Sequence, residues 1–238
     1  MKIALTDGRI NIEAAAALSR LGFTLLTLPQ ENRLPPALSS HTDMLVAALG
    51  SDLITYADYC DKAAYVFTDL MTLAPHLRMH FSSSSISDVY PQDAALNVLV
   101  MGNKLYGRLS SVDPMLLSLA KERGLELRNV KQGYPACTVL KLNDGAAITA
   151  DKGMAAALIE DGIRVTVIEN GDISLPPYEY GFIGGCAGVC EGRVMFLGDV
   201  KSHRSFAAIK DAILAEGMSY ISLCDGPLTD LGGILFIC

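Results

Sequence analysis

The sequence predicts an α/β protein built as a five-fold pseudo-symmetric α/β propeller of ββαβ units, and three observations predict it. A pattern of strand, tight turn, strand, helix and Gly-started strand recurs with a period of about 40 residues, the signature of a radial or stacked architecture. Turn residues and helix stops fall at matching places in each copy. An apolar run at the end of the chain lacks a unit of its own, and the first unit lacks an opening strand.

The clearest copy is ACTVLKLNDGAAITADKGMAAALIEDGIRVTVIE, from Ala136 to Glu169. Asn143-Asp144-Gly145 joins two β-rich runs as a hairpin turn would, Asp151 sits where a helix N-cap is wanted, and Gly162 where the helix must stop. The next copy starts at Gly188, with Glu191-Gly192 in the turn, Asp199 near the helix start and Gly217 at its end. Upstream, a copy beginning at Leu96 turns at Gly102-Asn103 and closes its helix at Gly124. From His41 a less regular unit turns at Gly50-Ser51 and ends in LAPHLRMHF without the closing Gly. The first residues offer half a unit, with Asp7 at the cap and Gly22 at the stop. Its missing strand is expected in Gly232 to Cys238, pairing with Lys2 to Thr6 so that the two terminal strands close the ring. The expected organisation is one domain, 1–238, of five repeats: approximately 1–30 plus 230–238, 38–81, 94–130, 133–169 and 182–224.

Composition sets the broad class. Half of the 238 residues are hydrophobic and 19% are charged, enough apolar surface for one large core. The net charge of −7 has no basic run to offset it, which argues against nucleic acid as a partner. No segment reaches the roughly 18 to 20 apolar residues of a membrane span, and the opening residues lack a signal-peptide core. A cytoplasmic protein without a membrane partner is expected; a homo-oligomer is compatible with the composition. Six cysteines without a Cys-x-x-Cys pair read as reduced small hydrophobes. Cys186, Cys190 and Cys224 have no recognised zinc spacing, so neither metal nor other cofactor is expected.

The five strand openings select the candidate site. They are Asp43, Asn97, Cys137, Gly188 and Gly233, with His41 two residues before Asp43. In a ring these residues converge at one mouth and supply a nucleophile, a base and binding groups around a small space. The recurring Asp7, Asp58, Asp151 and Asp199 are read as helix caps instead. Gly184 to Gly188 lacks the Lys-Ser/Thr of a phosphate loop and is read as close backbone packing. The loop Asn170 to Phe182 is long enough for a lid but reads as a surface connection. His203, His76 and His80 are expected to face solvent.

These residues carry a resemblance. Five ββαβ units, His41-Thr42-Asp43-Met44-Leu45 opening one strand, and Gly133-Tyr134-Pro135-Ala136-Cys137-Thr138 opening another two units later are similar to the pentein fold of the guanidino-group-modifying enzyme superfamily, which includes deiminases, dimethylarginine hydrolases and amidinotransferases. The resemblance implies a short branch of that superfamily, with Cys137 the nucleophile, His41 the acid/base and Asp43 gripping a guanidinium. Asn97 opens the strand between them and is expected at the same mouth. The family's second acid precedes two glycines; here Thr229-Asp230-Leu231-Gly232-Gly233 puts Leu231 at that place and Asp230 one before it, and no acid stands at Gly185 to Gly188.

Two function classes follow. The first is a cysteine-dependent hydrolase or transferase acting on the C–N bond of a guanidine or amidine small molecule, through an S-alkylthiouronium intermediate on Cys137. The alternative is a non-catalytic pentein-fold protein that binds a small molecule, without the full guanidine-binding acid set. Either takes a small ligand, and a cationic one suits the acidic chain.

Overall fold

The computed structural model describes residues 2–237; Met1 and Cys238 lie outside them. The chain opens with β1 (Lys2–Asp7), α1 (Ile12–Arg20) and β2 (Phe23–Leu28). A one-turn helix α2 (Thr42–Leu45) then leads into β3 (Val46–Leu49), β4 (Asp52–Thr55), α3 (Ala57–Lys62), α4 (Ala64–Leu73) and β5 (Arg78–Phe81). Next come β6 (Leu99–Met101), β7 (Lys104–Gly107), α5 (Pro114–Glu122) and β8 (Glu126–Asn129). A second one-turn helix, α6 (Pro135–Thr138), leads into β9 (Val139–Asn143), β10 (Ala146–Thr149), α7 (Lys152–Glu160) and β11 (Arg164–Val167). The short β12 (Ile173–Ser174) precedes β13 (Ala187–Cys190), β14 (Arg193–Phe196), α8 (Phe206–Ala215) and β15 (Ser219–Ser222). The chain closes with β16 (Leu228–Thr229) and β17 (Leu235–Ile237).

Among the described residues these strands form five three-stranded sheets and one two-stranded sheet. Each three-stranded sheet has the same logic. In β9-β10-β11 a tight turn makes the first two strands antiparallel, and a helical crossover makes the next pair parallel. The same order holds for β3-β4-β5, β6-β7-β8 and β13-β14-β15. The first sheet takes its antiparallel strand from the far end of the sequence: Ile3 faces Ile237 and Leu5 faces Leu235, the pairing expected of the orphan run. The two-stranded sheet, β12 with β16, was not expected.

Local chemistry accounts for the elements. Asp151 accepts from the Met154 amide at the start of α7, and the helix ends before Gly162, whose φ of 82° lets the chain turn into β11. The capping expectation fails at Asp7 and Asp58 and holds at Asp199 for a short turn before the main helix. Asp7 ends β1 and binds Arg9, while Asn11 caps α1. Asp58 lies inside the first turn of α3, after Tyr56. Asp199 caps a short 3₁₀ turn at Val200–Ser202, and α8 starts later, at Phe206. Asp113, by contrast, caps α5 with Pro114 following it.

Burial follows the sheets. Tyr59, Tyr106 and Phe196 are the largest fully enclosed side chains, each from a different sheet-and-helix unit. The core clusters join neighbouring units: Leu140, Ile148, Val194, Phe196 and Ile209 pack together between β9, β10, β14 and α8. Residues of β3, β6, β9, β13 and β17 line a common cavity of about 320 Å³. The histidine expectation is corrected here: His203 is buried, and His80 is half-buried against Asp52 at 2.8 Å, leaving His76 alone exposed. Cys60, Cys137, Cys186 and Cys224 are free thiols.

Candidate functional site

The site is assembled where α2 and α6 deliver side chains to the start of their strands. Asp43 and Cys137 stand in these single helical turns and not in the strands themselves, which corrects the strand-opening expectation. A threonine in the second strand holds each turn. Thr55 Oγ1 donates to Leu45 O at 2.8 Å, and Thr149 Oγ1 donates to Thr138 O at 2.7 Å. The pairing also fixes the register between units. Val46 faces Thr55 as Val139 faces Thr149, so Cys137 corresponds to Met44 rather than to Asp43. The two side chains meet because they lie on neighbouring steps of equivalent turns.

Backbone bonds tie the strand starts together. Gly185 N donates to Cys137 O at 3.0 Å; Leu231 N and Gly233 N donate to Gly185 O; Asp43 N donates to Gly232 O. Close approach at this crossing requires glycine. A Cβ on Gly184 would lie 2.3 Å from Ala136 O, and one on Gly185 would lie 2.0 Å from Asp230 Oδ1. The packing reading of Gly184 to Gly188 therefore agrees with the contacts. Gly185 also accounts for the acid-free stretch in the sequence: Asp230 fills the space that a side chain at 185 would take.

Three groups converge. A ring nitrogen of His41, the Cys137 sulfur and an Asp230 oxygen all lie within 4.8 Å of one another, and all three residues are buried. Cys137 Sγ donates to Asp43 Oδ2 at 2.6 Å. His41 Nδ1 is 3.8 Å from Asp230 Oδ1, and among the described residues neither ring nitrogen of His41 has a hydrogen-bond partner. Asp230 is held by the amides of Gly232 and Phe182 at 3.0 and 2.8 Å. Asp43 Oδ1 is likewise buried without a partner. Asn97 is drawn in behind these groups: its Oδ1 accepts from the Ala136 amide at 2.9 Å, beside the nucleophile candidate.

Electrostatics favour the uncharged thiol and imidazole at the site. Burial pushes the Cys137 thiol well above its ordinary value, and the carboxylates of Asp230 and Asp43 add to the rise. Burial lowers the His41 imidazole, opposed by Asp230. Asp43 is pushed up to about 7 by burial and by Asp230, against the opposing hydrogen bond from Cys137. Asp230 is raised by burial, with His41 opposing. A positive charge entering among these acids would be strongly favoured, and it would draw the thiol toward thiolate.

A pocket of about 330 Å³ reaches Cys137 and Asp230. Leu38, Met44 and Tyr134 form part of its wall. Tyr134 is fixed by its hydroxyl, which donates to Asp93 Oδ2 at 2.6 Å. The rest of the wall comes from the segment that the sequence reads as a surface connection: Leu175, Tyr178, Glu179, Tyr180 and Phe182. The segment is pinned by β12 on β16 and by the Arg204–Asp172 ion pair. Sequence reasoning gave no site role to Met44, Tyr134 or these later residues. Only the position of Tyr134 in the Gly133 to Thr138 run offered a signal. His41, Cys137 and Asp230 also offer one nitrogen, one sulfur and one oxygen, a donor set of the kind that holds zinc with a fourth position open.

The profile of a family of unknown function (DUF6873) matches residues 5–235. No curated protein matches the chain in sequence. Solved structures do resemble it. A dimethylarginine dimethylaminohydrolase (DDAH) from Pseudomonas aeruginosa, complexed with citrulline, superposes with a TM-score of 0.59 at 12% identity, over 93% of this chain and 90% of that one. An amidinotransferase of the saxitoxin biosynthetic pathway from Microseira wollei gives 0.55 at 13% identity, over 88% and 72%. An agmatine deiminase from C. jejuni gives 0.51 at 8% identity, over 93% and 75%. At these identities the likeness shows the fold alone, an α/β fold shared with these structures.

Proposed function

We propose that this chain, which belongs to the DUF6873 family of unknown function, is a cysteine-dependent enzyme acting on the C–N bond of a small guanidine or amidine. The observation that carries the reading is the convergence of Cys137 sulfur, His41 nitrogen and Asp230 oxygen within 4.8 Å, with Cys137 and Asp230 lining a pocket. In this reading the five sheets are the blades of one propeller domain, closed by the pairing of β1 with β17. The common cavity lined by their first strands supports that arrangement.

The chemistry runs on the chain's own residues. Asp43 and Asp230 accept hydrogen bonds from the ligand's N–H groups, and the ligand's positive charge stabilises the thiolate. As the guanidinium takes over Asp43, the thiol proton passes to His41, and the Cys137 sulfur bonds to the central carbon. His41 gives that proton to the departing amine as the C–N bond breaks, leaving an S-alkylthiouronium. Hydrolysis then transfers one water proton to His41 as the oxygen bonds to the carbon. The C–S bond breaks, the His41 proton returns to sulfur, and the product's hydroxyl proton passes to solvent, where the released amine takes up a proton as an ammonium. Asn97 serves as a positioning residue, through the Ala136 amide.

The raised Cys137 thiol and the hydrogen bond that holds it also suit the second reading, a ligand-binding protein without turnover. Chloroacetamidine, an amidine-bearing alkylator, separates the two. Selective labelling of Cys137 that falls sharply in His41→Ala and is unchanged by EDTA is expected of the enzyme. Labelling spread over all cysteines, or independent of His41, overturns it.

A further inference from the structure

Resting on that reading of the site, we infer that the ligand is an amine-tailed guanidine or amidine, its far end a second cation rather than a carboxylate. The charged side chains among the residues lining the pocket are Asp230 at the inner end and Glu179 on the exposed segment. Both are acids. A ligand with its amidine against Asp230 and Cys137 would bring its tail past Leu175 and Phe182 toward Glu179. An amine there gains a carboxylate partner, whereas a carboxylate meets like charge in a mouth partly walled by apolar groups.

The arginines on the surrounding segments are already engaged, and Lys131, exposed three residues before Tyr134, is not among the pocket's lining residues. Arg9 is bound to Asp7 and to the carbonyls of Pro36 and Ala37, next to Leu38. Arg33 pairs with Glu31 and Asp58. Arg204 is bonded through two nitrogens to Asp172 at 2.8 and 2.9 Å. Arg108 lies 5.5 Å over the ring of Tyr90 and is not among the pocket's lining residues. Tyr178 and Tyr180 beside Glu179 add ring faces and hydroxyls that suit an ammonium. The volume, at the small end for ligand pockets, fits a small metabolite.

The test measures protection of Cys137 against alkylation by iodoacetamide, with agmatine, arginine and 4-guanidinobutanoate as competing ligands. Agmatine is expected to protect at a concentration roughly tenfold below either carboxylate-bearing compound, the scale of a change in partly solvated charge pairing. Glu179→Lys should shrink that preference by roughly fivefold or more, and Glu179→Gln should fall between. Equal or better protection by arginine or 4-guanidinobutanoate overturns the inference, as does carboxylate-dependent protection that Arg108→Ala abolishes. Failure of all three to protect a Cys137 that chloroacetamidine labels through His41 also overturns it, while leaving the catalytic reading standing. Loss of the His41-dependent labelling itself brings down the catalytic reading.

Discussion

Cys137 Sγ lies 2.6 Å from Asp43 Oδ2, across 94 residues of sequence. This contact joins the nucleophile candidate to the guanidinium-gripping candidate, and it makes each residue's titration depend on the other.

The coupling predicts opposite responses to two electrophiles. Burial and Asp230 raise the Cys137 thiol most and Asp43 adds to them, so in Asp43→Asn the thiol pKa falls and reaction with neutral iodoacetamide at pH 8 should rise roughly threefold or more. Reaction with cationic chloroacetamidine should fall, because its binding partner has been removed. Parallel alkylation rates followed by mass spectrometry check the pair. A common change in both rates would contradict it.

The same residue predicts a pH dependence of stability. The folded-state pKa of Asp43 is about 7, raised from 3.8, so between those values the folded chain holds a proton that the unfolded chain has released. Its contribution is fully present below about pH 4 and is lost as pH rises through 7. Asp43→Asn should therefore gain thermal stability over the parent at pH 8, on the order of a few kcal/mol at most, and gain little at pH 4. Melting curves at the two pH values decide it.

Gly185 predicts a steric effect. A methyl group there would meet Asp230 Oδ1 at 2.0 Å, and backbone bonds from Gly185 to Cys137, Leu231 and Gly233 resist a shift of the chain. Gly185→Ala is expected to cost roughly 1 to 3 kcal/mol by chemical denaturation and to weaken guanidine protection of Cys137 through the displaced carboxylate. Unchanged protection would show that Asp230 does not touch the ligand.

Much of this molecule was legible in its sequence because hairpin turns and helix stops leave local marks. Asn143 to Gly145 and the step before Gly162 are set by neighbouring residues, and the repeat brought out His41, Asp43 and Cys137. The register of Cys137 against Met44 was not legible, since one-turn helices leave no periodic trace and only strand pairing reveals the offset. Asp230 was visible as an acid one place from its expected position. The reason it reaches His41 depends on Gly185, in a different unit, and so on tertiary packing. Glu179 and its neighbours gave no signal because a loop's path over a pocket is fixed by β12 pairing with β16, two residues on each side.

The Thr55 and Thr149 clasps, and the glycine crossing between units, have a consequence for how the molecule is made. None of the groups at the site finds its partner within its own sheet: Cys137 needs Asp43 from far upstream, and His41 needs Asp230 from far downstream. Contacts of such separation form late, after the entropy of closing long loops has been overcome. Protection of the Cys137 thiol during refolding is thus a clock for the last docking of the units, and a chain with most of its secondary structure in place would still have no site.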